Sequence, residues 1–208
     1  ISFLVDHFQK DHKIAILSRG YKRQTKGFQE VSLENAASEV GDEPLQFKLQ
    51  FPAVTVAVDE KRANGMQKLE SSHQPNLILL DDAFQHRAVQ ADINILLTMY
   101  QKPFSADLLL PAGNLREPKS GAFRADFIIV TKTPKDVSQA EKNQLKKKLQ
   151  AYDNQPVFFS HIVYANEIIG REENLLLSDF DQFTLVTGIA QPQPLLDHLN
   201  GMHKKFRH

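Results

Sequence analysis

Apolar residues along this chain fall into short unbroken runs separated by polar, helix-like stretches. "KIAILSRG" (13–20), "AVTVAV" (53–58), "NLILL" (76–80), "INILL" (93–97) and "DFIIVT" (126–131) are rich in Val, Ile and Leu and lack the alternation of a half-exposed strand. Strands of this kind are buried on both faces, as in a parallel or mixed sheet covered by helices. Helical spacing appears in "ISFLVDHFQK" (Ile1, Leu4, Val5, Phe8) and predicts helices at 43–50, 61–71 and 138–151. Ser138 followed by Glu141 has the form of a capping box. Strands alternating with helices predict an α/β layered core with a mostly parallel sheet, and the ends of the first, third and fourth strands are expected along one edge of a single sheet.

After residue 153 the texture changes. "QPVFFSHIVYANEIIG" (155–170) alternates like a strand entering a different sheet, and "FTLVTGIAQPQPLLDHL" (183–199) has the order strand, loop, helix. The expected organisation is a core at 1–153 and the start of a second, smaller α/β domain at 154–208. The chain opens on Ile1 without an initiator Met and stops just after an apparent helix, so sequence is expected to be missing at both ends.

Charge and composition narrow the function. Lys and Arg (25) balance Asp and Glu (25), which leaves no broad basic field for nucleic acid. With no cysteine, thiolate catalysis and Cys-based zinc sites are excluded. No apolar run approaches the roughly 20 residues that span a bilayer, and the chain reads as cytosolic.

Ligands of open α/β sheets collect at the carboxyl ends of parallel strands. Those ends present Ser18, Arg19, Gly20 and Tyr21; then Asp81 and Asp82; then a segment with Asn114, Arg116 and Glu117, while "EVGDEP" contributes Asp42. Taken singly, each has an ordinary structural reading. Asp caps helices and starts turns, loop arginines pair with neighbours, and His86 is commonly a hydrogen-bonded structural histidine. An apolar strand ending in Asp is also the arrangement that brings a carboxylate to Mg²⁺ on a nucleotide phosphate, and two adjacent carboxylates repel unless a cation is close.

In order, "LSRGYKRQTKGF" (17–28), "EVGDEP" (39–44), "LLDDAFQHR" (79–87), "LLPAGNLREP" (109–118) and "TGIAQP" (187–192) closely resemble the tetraacyldisaccharide 4'-kinase family of lipid A biosynthesis. The resemblance implies a P-loop NTPase-like core and an ATP-dependent kinase, using Mg²⁺. Its acceptor would be the 4'-hydroxyl of a lipid A disaccharide precursor, at the cytoplasmic face of the inner membrane. It implies Asp42 as general base, with a histidine partner expected beyond residue 208. It places Asp81, Asp82, Arg116 and Glu117 around Mg²⁺ and the phosphates, with Asp81, Asp82 and Glu117 as metal ligands. Arg19, Gln85 and Glu117 are implied to line the nucleotide site. No G-x-x-x-x-G-K-[ST] occurs in these residues; the family's loop of that form belongs just before the helix at Ile1, and its hydrophobic anchor is also not among them. These 208 residues alone are therefore expected to be inactive. Two rival functions remain: a P-loop kinase or nucleotide-dependent transferase on a small soluble substrate, and a non-catalytic nucleotide-binding domain.

Overall fold

The structure, a computed structural model, describes residues 1–150, 155–170 and 173–208. The first part of the chain forms α1 (Ser2–Phe8), β1 (Ile14–Ser18), β2 (Gln29–Glu30), α2 (Ala37–Val40), α3 (Asp42–Gln50), β3 (Thr55–Val58), α4 (Arg62–His73) and β4 (Leu77–Leu80). Their sheet has the order β2-β3-β1-β4. β3 and β4 run parallel to β1, with Ile16 opposite Val56 on one side and Leu79 on the other, and the short β2 closes one edge antiparallel to β3.

Every residue of β1 is buried, because alternate side chains enter two different cores. Ile14 and Ile16 pack with Val5, Val40, Phe51 and Val56. Ala15 and Leu17 pack on the opposite face with Ala57 and Leu69. The unbroken apolar run thus holds helices on both faces of the sheet.

A second parallel ladder, β5-β6-β7, is built from β5 (Ile95–Met99), β6 (Phe127–Thr131) and β7 (Val157–Phe159). α5 (Gln139–Leu149) covers it, and Ile128, Val130, Leu149 and Val157 form its core. The capping box of α5 is present: Glu141 N–H donates to Ser138 Oγ (3.3 Å), and Ser138 N–H donates to the Glu141 carboxylate (2.9 Å).

The single sheet expected from the pattern is corrected here: among the described residues, β4 and β5 belong to separate ladders. Residues 81–94 between them contain turns and no helix. The chain therefore lacks the helical crossover that usually returns a strand beside its parallel neighbour. The two ladders are joined through this connection, where Phe84 packs on the β5-β6-β7 core and its carbonyl accepts a bond from Arg124 (3.0 Å).

The continuous strand anticipated over 155–170 divides. β7 joins β6, and the ladder ends where Ser160 N–H donates to Val130 O (2.9 Å). β8 (Glu167–Ile169) then pairs antiparallel with β9 (Asn174–Leu176). The boundary placed between residues 153 and 154 falls outside the described residues. Last come β10 (Gln182–Thr184), α6 (Gln193–Gly201) and β11 (Lys205–Arg207), with β10 and β11 parallel and Phe183 stacked on Phe206. The chain does not stop at the apparent last helix: α6 is followed by β11. No helix among the described residues is long and apolar enough to cross a membrane.

Candidate active site

Three loops meet where β1 and β4 end. Gly41, at φ +95°, introduces α3, and its Cα region lies against Gly20 so closely that a Cβ would come within 3.2 Å of Gly20 Cα. Two glycines in backbone contact bring the segment after β1 against the start of α3. Asp42 and Glu43 open α3, and Glu43 consequently lies near Asp81 and Asp82 at the end of β4. Burial raises the pKa of Glu43, and the charges of Asp81, Asp82 and Asp42 raise it further. Asp42, Asp81 and Asp82 therefore each lie within Coulombic reach of Glu43.

Asp81 is held at the sheet end by its backbone N–H, which donates to Leu17 O (3.0 Å), and by Ser18, whose hydroxyl donates to its carboxylate (3.2 Å). Burial pushes the Asp81 pKa up, and Asp82 adds to this. The Ser18 hydroxyl and Arg62 act in the opposite direction. Asp82 turns away from it at φ +44°, in the left-handed region that Asp tolerates better than most residues. Its carboxylate receives both ends of the Arg116 guanidinium, at 2.6 and 2.9 Å. That bidentate fork joins the end of β4 to the loop after β5, and the bond to Asp82 raises the Arg116 pKa.

The remaining predicted residues take different places. Arg19 is exposed and lies close enough to Arg62 for the two cations to repel. Gln85 donates to Glu117 at 3.4 Å, and its own side-chain oxygen is buried without a hydrogen-bond partner. Glu117 accepts from Arg124 with both oxygens (2.8 and 2.9 Å) and from Arg87 at 3.4 Å. Burial works to raise its pKa, but these cations bring it below the ordinary carboxylate value. Glu117 thus clamps its loop to Arg124 and reaches a metal only by giving up those bonds.

Two arginines here carry no motif. Arg62, 1 % exposed, donates to Asp59 O (2.7 Å) and Asp81 O (3.0 Å), placing a buried positive charge behind the aspartate pair. Its signal was the spacing Arg62, Gly65, Leu69, the buried face of α4. Arg124 stacks on Phe84, 4.6 Å from the ring centre, while holding Glu117. "SGAFRAD" offers no comparable sign.

A divalent cation fits this donor set in a limited way. No group of three or more His, Asp or Glu among the described residues forms a closed cage. Mg²⁺ commonly takes one or two carboxylates and completes its shell with water and phosphate oxygens. Asp81, crowded by Asp82 and beside the Ser18 hydroxyl, suits that role.

The family model described as LpxK, tetraacyldisaccharide-1-P 4'-kinase, matches residues 1–208. A tetraacyldisaccharide 4'-kinase of Flavobacterium johnsoniae is 42 % identical over 202 residues, covering 96 % of this chain and 59 % of the relative. Another from Bacteroides thetaiotaomicron is 41 % identical over 211 residues, covering 95 % and 56 %. The chain thus spans somewhat over half the length of these relatives. A crystal structure of the "apo" form of LpxK from Aquifex aeolicus, in complex with ATP, superposes with a TM-score of 0.74 at 30 % identity, covering 98 % of this chain and 62 % of that one.

Proposed function

Because this chain belongs to the tetraacyldisaccharide-1-P 4'-kinase family, we propose that the protein carrying it transfers the γ-phosphate of ATP to the 4'-hydroxyl of a tetraacyldisaccharide 1-phosphate in lipid A biosynthesis. The reaction would take place at the cytoplasmic face of the inner membrane. The observation that carries this reading is the Arg116–Asp82 fork beside the buried Asp81, with Glu43 of α3 within Coulombic reach of both aspartates.

Each residue has a task that its position supports. Asp42 accepts the proton of the sugar hydroxyl, which requires it to come within roughly 3 Å of that oxygen. Asp81 and the Ser18 hydroxyl would hold Mg²⁺, which when bound neutralises charge on the phosphates. Arg116 offers the phosphoryl oxygens the guanidinium N–H groups that Asp82 does not engage, and its bidentate pair with Asp82 holds the planar group in place. Arg19 adds positive charge at the rim. Gln85 and Glu117 fix the loop that carries Arg116, and Arg62 stabilises the aspartate pair from behind. The kinase core in this reading runs through β7, which is hydrogen-bonded to β6, and the segment from β8 onward starts the second domain.

The test is phosphate transfer from ATP by the full-length protein, offered the tetraacylated disaccharide and, separately, soluble hydroxyl compounds. Transfer to the 4'-position of the lipid is the expected result. Preference for a soluble acceptor, or binding of ATP without transfer to either, would replace the proposal with one of its rivals.

A further inference from the structure

The loop that brings Arg116 into the site has a second feature that phosphoryl transfer does not use. Leu108, Leu109 and Leu110 are 57, 45 and 62 % exposed, three consecutive large apolar side chains at the surface. The segment carrying them is closely tied. The Asp107 carboxylate accepts from Leu108 N–H (2.8 Å), Asn114 N–H (3.2 Å) and the Asn114 amide (3.1 Å). Leu115 N–H donates to Leu108 O, Leu110 N–H to Leu115 O and Gly113 N–H to Leu109 O, at 2.9, 3.0 and 3.0 Å. Gly113 has no room for a side chain, since a Cβ would stand 2.3 Å from the Leu108 carbonyl oxygen.

Backbone groups satisfied within the loop leave little for a partner strand to pair with, and what remains uncompensated is apolar area. Positive charge flanks it. Exposed Lys102 lies within Coulombic reach of Asp107. Exposed Lys119 donates to Ser105 O (2.7 Å) beside Phe123, itself 62 % exposed. Leucines at a tip with lysines at its base match the acyl boundary and the phosphate layer of an anionic lipid surface.

We propose that the Leu108–Leu110 loop, flanked by Lys102 and Lys119, docks on an anionic bilayer and brings Arg116 to the membrane surface. Leu109 bridges to Leu115, the residue immediately before Arg116, so the docked tip and the phosphate fork belong to one rigid arm. This rests on the reading that the acceptor is an acylated lipid.

The experiment needs neither ATP nor turnover. The full-length protein is mixed with vesicles of phosphatidylglycerol and phosphatidylcholine, or of phosphatidylcholine alone, and the bound fraction is measured by sedimentation. Binding is expected to be roughly tenfold stronger on the anionic vesicles, and the Leu108→Ser, Leu110→Ser double variant is expected to lose roughly tenfold in binding at an unchanged melting temperature. These 208 residues contain no tryptophan, so in the full-length protein labelled with 5-fluorotryptophan the fluorine resonance that a Leu110→Trp variant adds to the parent spectrum reports locally. Its resonance is expected to shift and broaden on anionic vesicles. Equal binding by the double variant would overturn the proposal, as would a Leu110→Trp resonance unmoved while the protein binds. A Trp resonance already protected from solvent in the vesicle-free protein would also overturn it, since another part of the protein would then cover the loop. Failure here leaves phosphate transfer in detergent micelles as a separate result, so the two readings fail independently.

Discussion

Asp81 meets opposing demands. Burial and the adjacent Asp82 disfavour its charged form, while Ser18 donates to the carboxylate and Arg62, bonded to the Asp81 backbone carbonyl, attracts it. Its pKa is raised in the folded state, so the folded protein binds this proton more tightly than the unfolded chain. The associated stability is full below the unfolded carboxylate value and is lost as pH rises through the folded one. At neutral pH the ionised group therefore costs stability. Asp81→Asn is expected to melt at the same or a higher temperature near neutrality, with the difference vanishing as pH falls below the carboxylate range. Its turnover is expected to fall by about a hundredfold or more. Lost folding at neutral pH would contradict the electrostatic account, and unchanged turnover would return Asp81 to a turn-capping role. The aspartate pair was legible because it ends an apolar strand. Arg62 and Arg124 were not, since their importance lies in partners 19 residues (Asp81) and 40 residues (Phe84) away in the chain.

Two helix starts separate structural from functional positions. Gly41 combines φ +95° with backbone contact to Gly20. Gly41→Ala is expected to cost about 1–3 kcal/mol in chemical denaturation and to weaken turnover as well, because α3 carries Asp42. Ser138 begins α5, away from the aspartates. Ser138→Ala removes a cap worth about 1 kcal/mol and is expected to lower stability with kcat unchanged. A loss of turnover at Ser138, or none at Gly41, would break this division. The cap of α5 was readable from Ser138 and Glu141 alone, as were the main strands. β2 and α2 were not, because elements of two and four residues carry no periodicity. The expected single sheet failed for a related reason: apolar runs identify strands but not their neighbours, and the turns at 81–94 supply no crossover helix.

At the scale of the molecule, the two ladders are linked by polar and aromatic contacts from loops. Arg116 bonds Asp82, and Arg124 bonds both Phe84 and Glu117. Members of the Arg116–Asp82 pair are each more than half exposed. Solvent screening makes such a pair worth little to stability, so its value under this account is positional and lies in phosphoryl transfer. Lysine retains the charge of Arg116 but not the planar fork. The most direct measurement is transfer of labelled γ-phosphate from ATP to the 4'-hydroxyl of the tetraacyldisaccharide 1-phosphate, by the full-length protein and its Arg116→Lys variant. The account predicts transfer by the parent protein and at least a roughly hundredfold lower kcat for the variant, with melting unchanged. Equal kcat in the two proteins, or no phosphate on the 4'-hydroxyl from the parent, would contradict it.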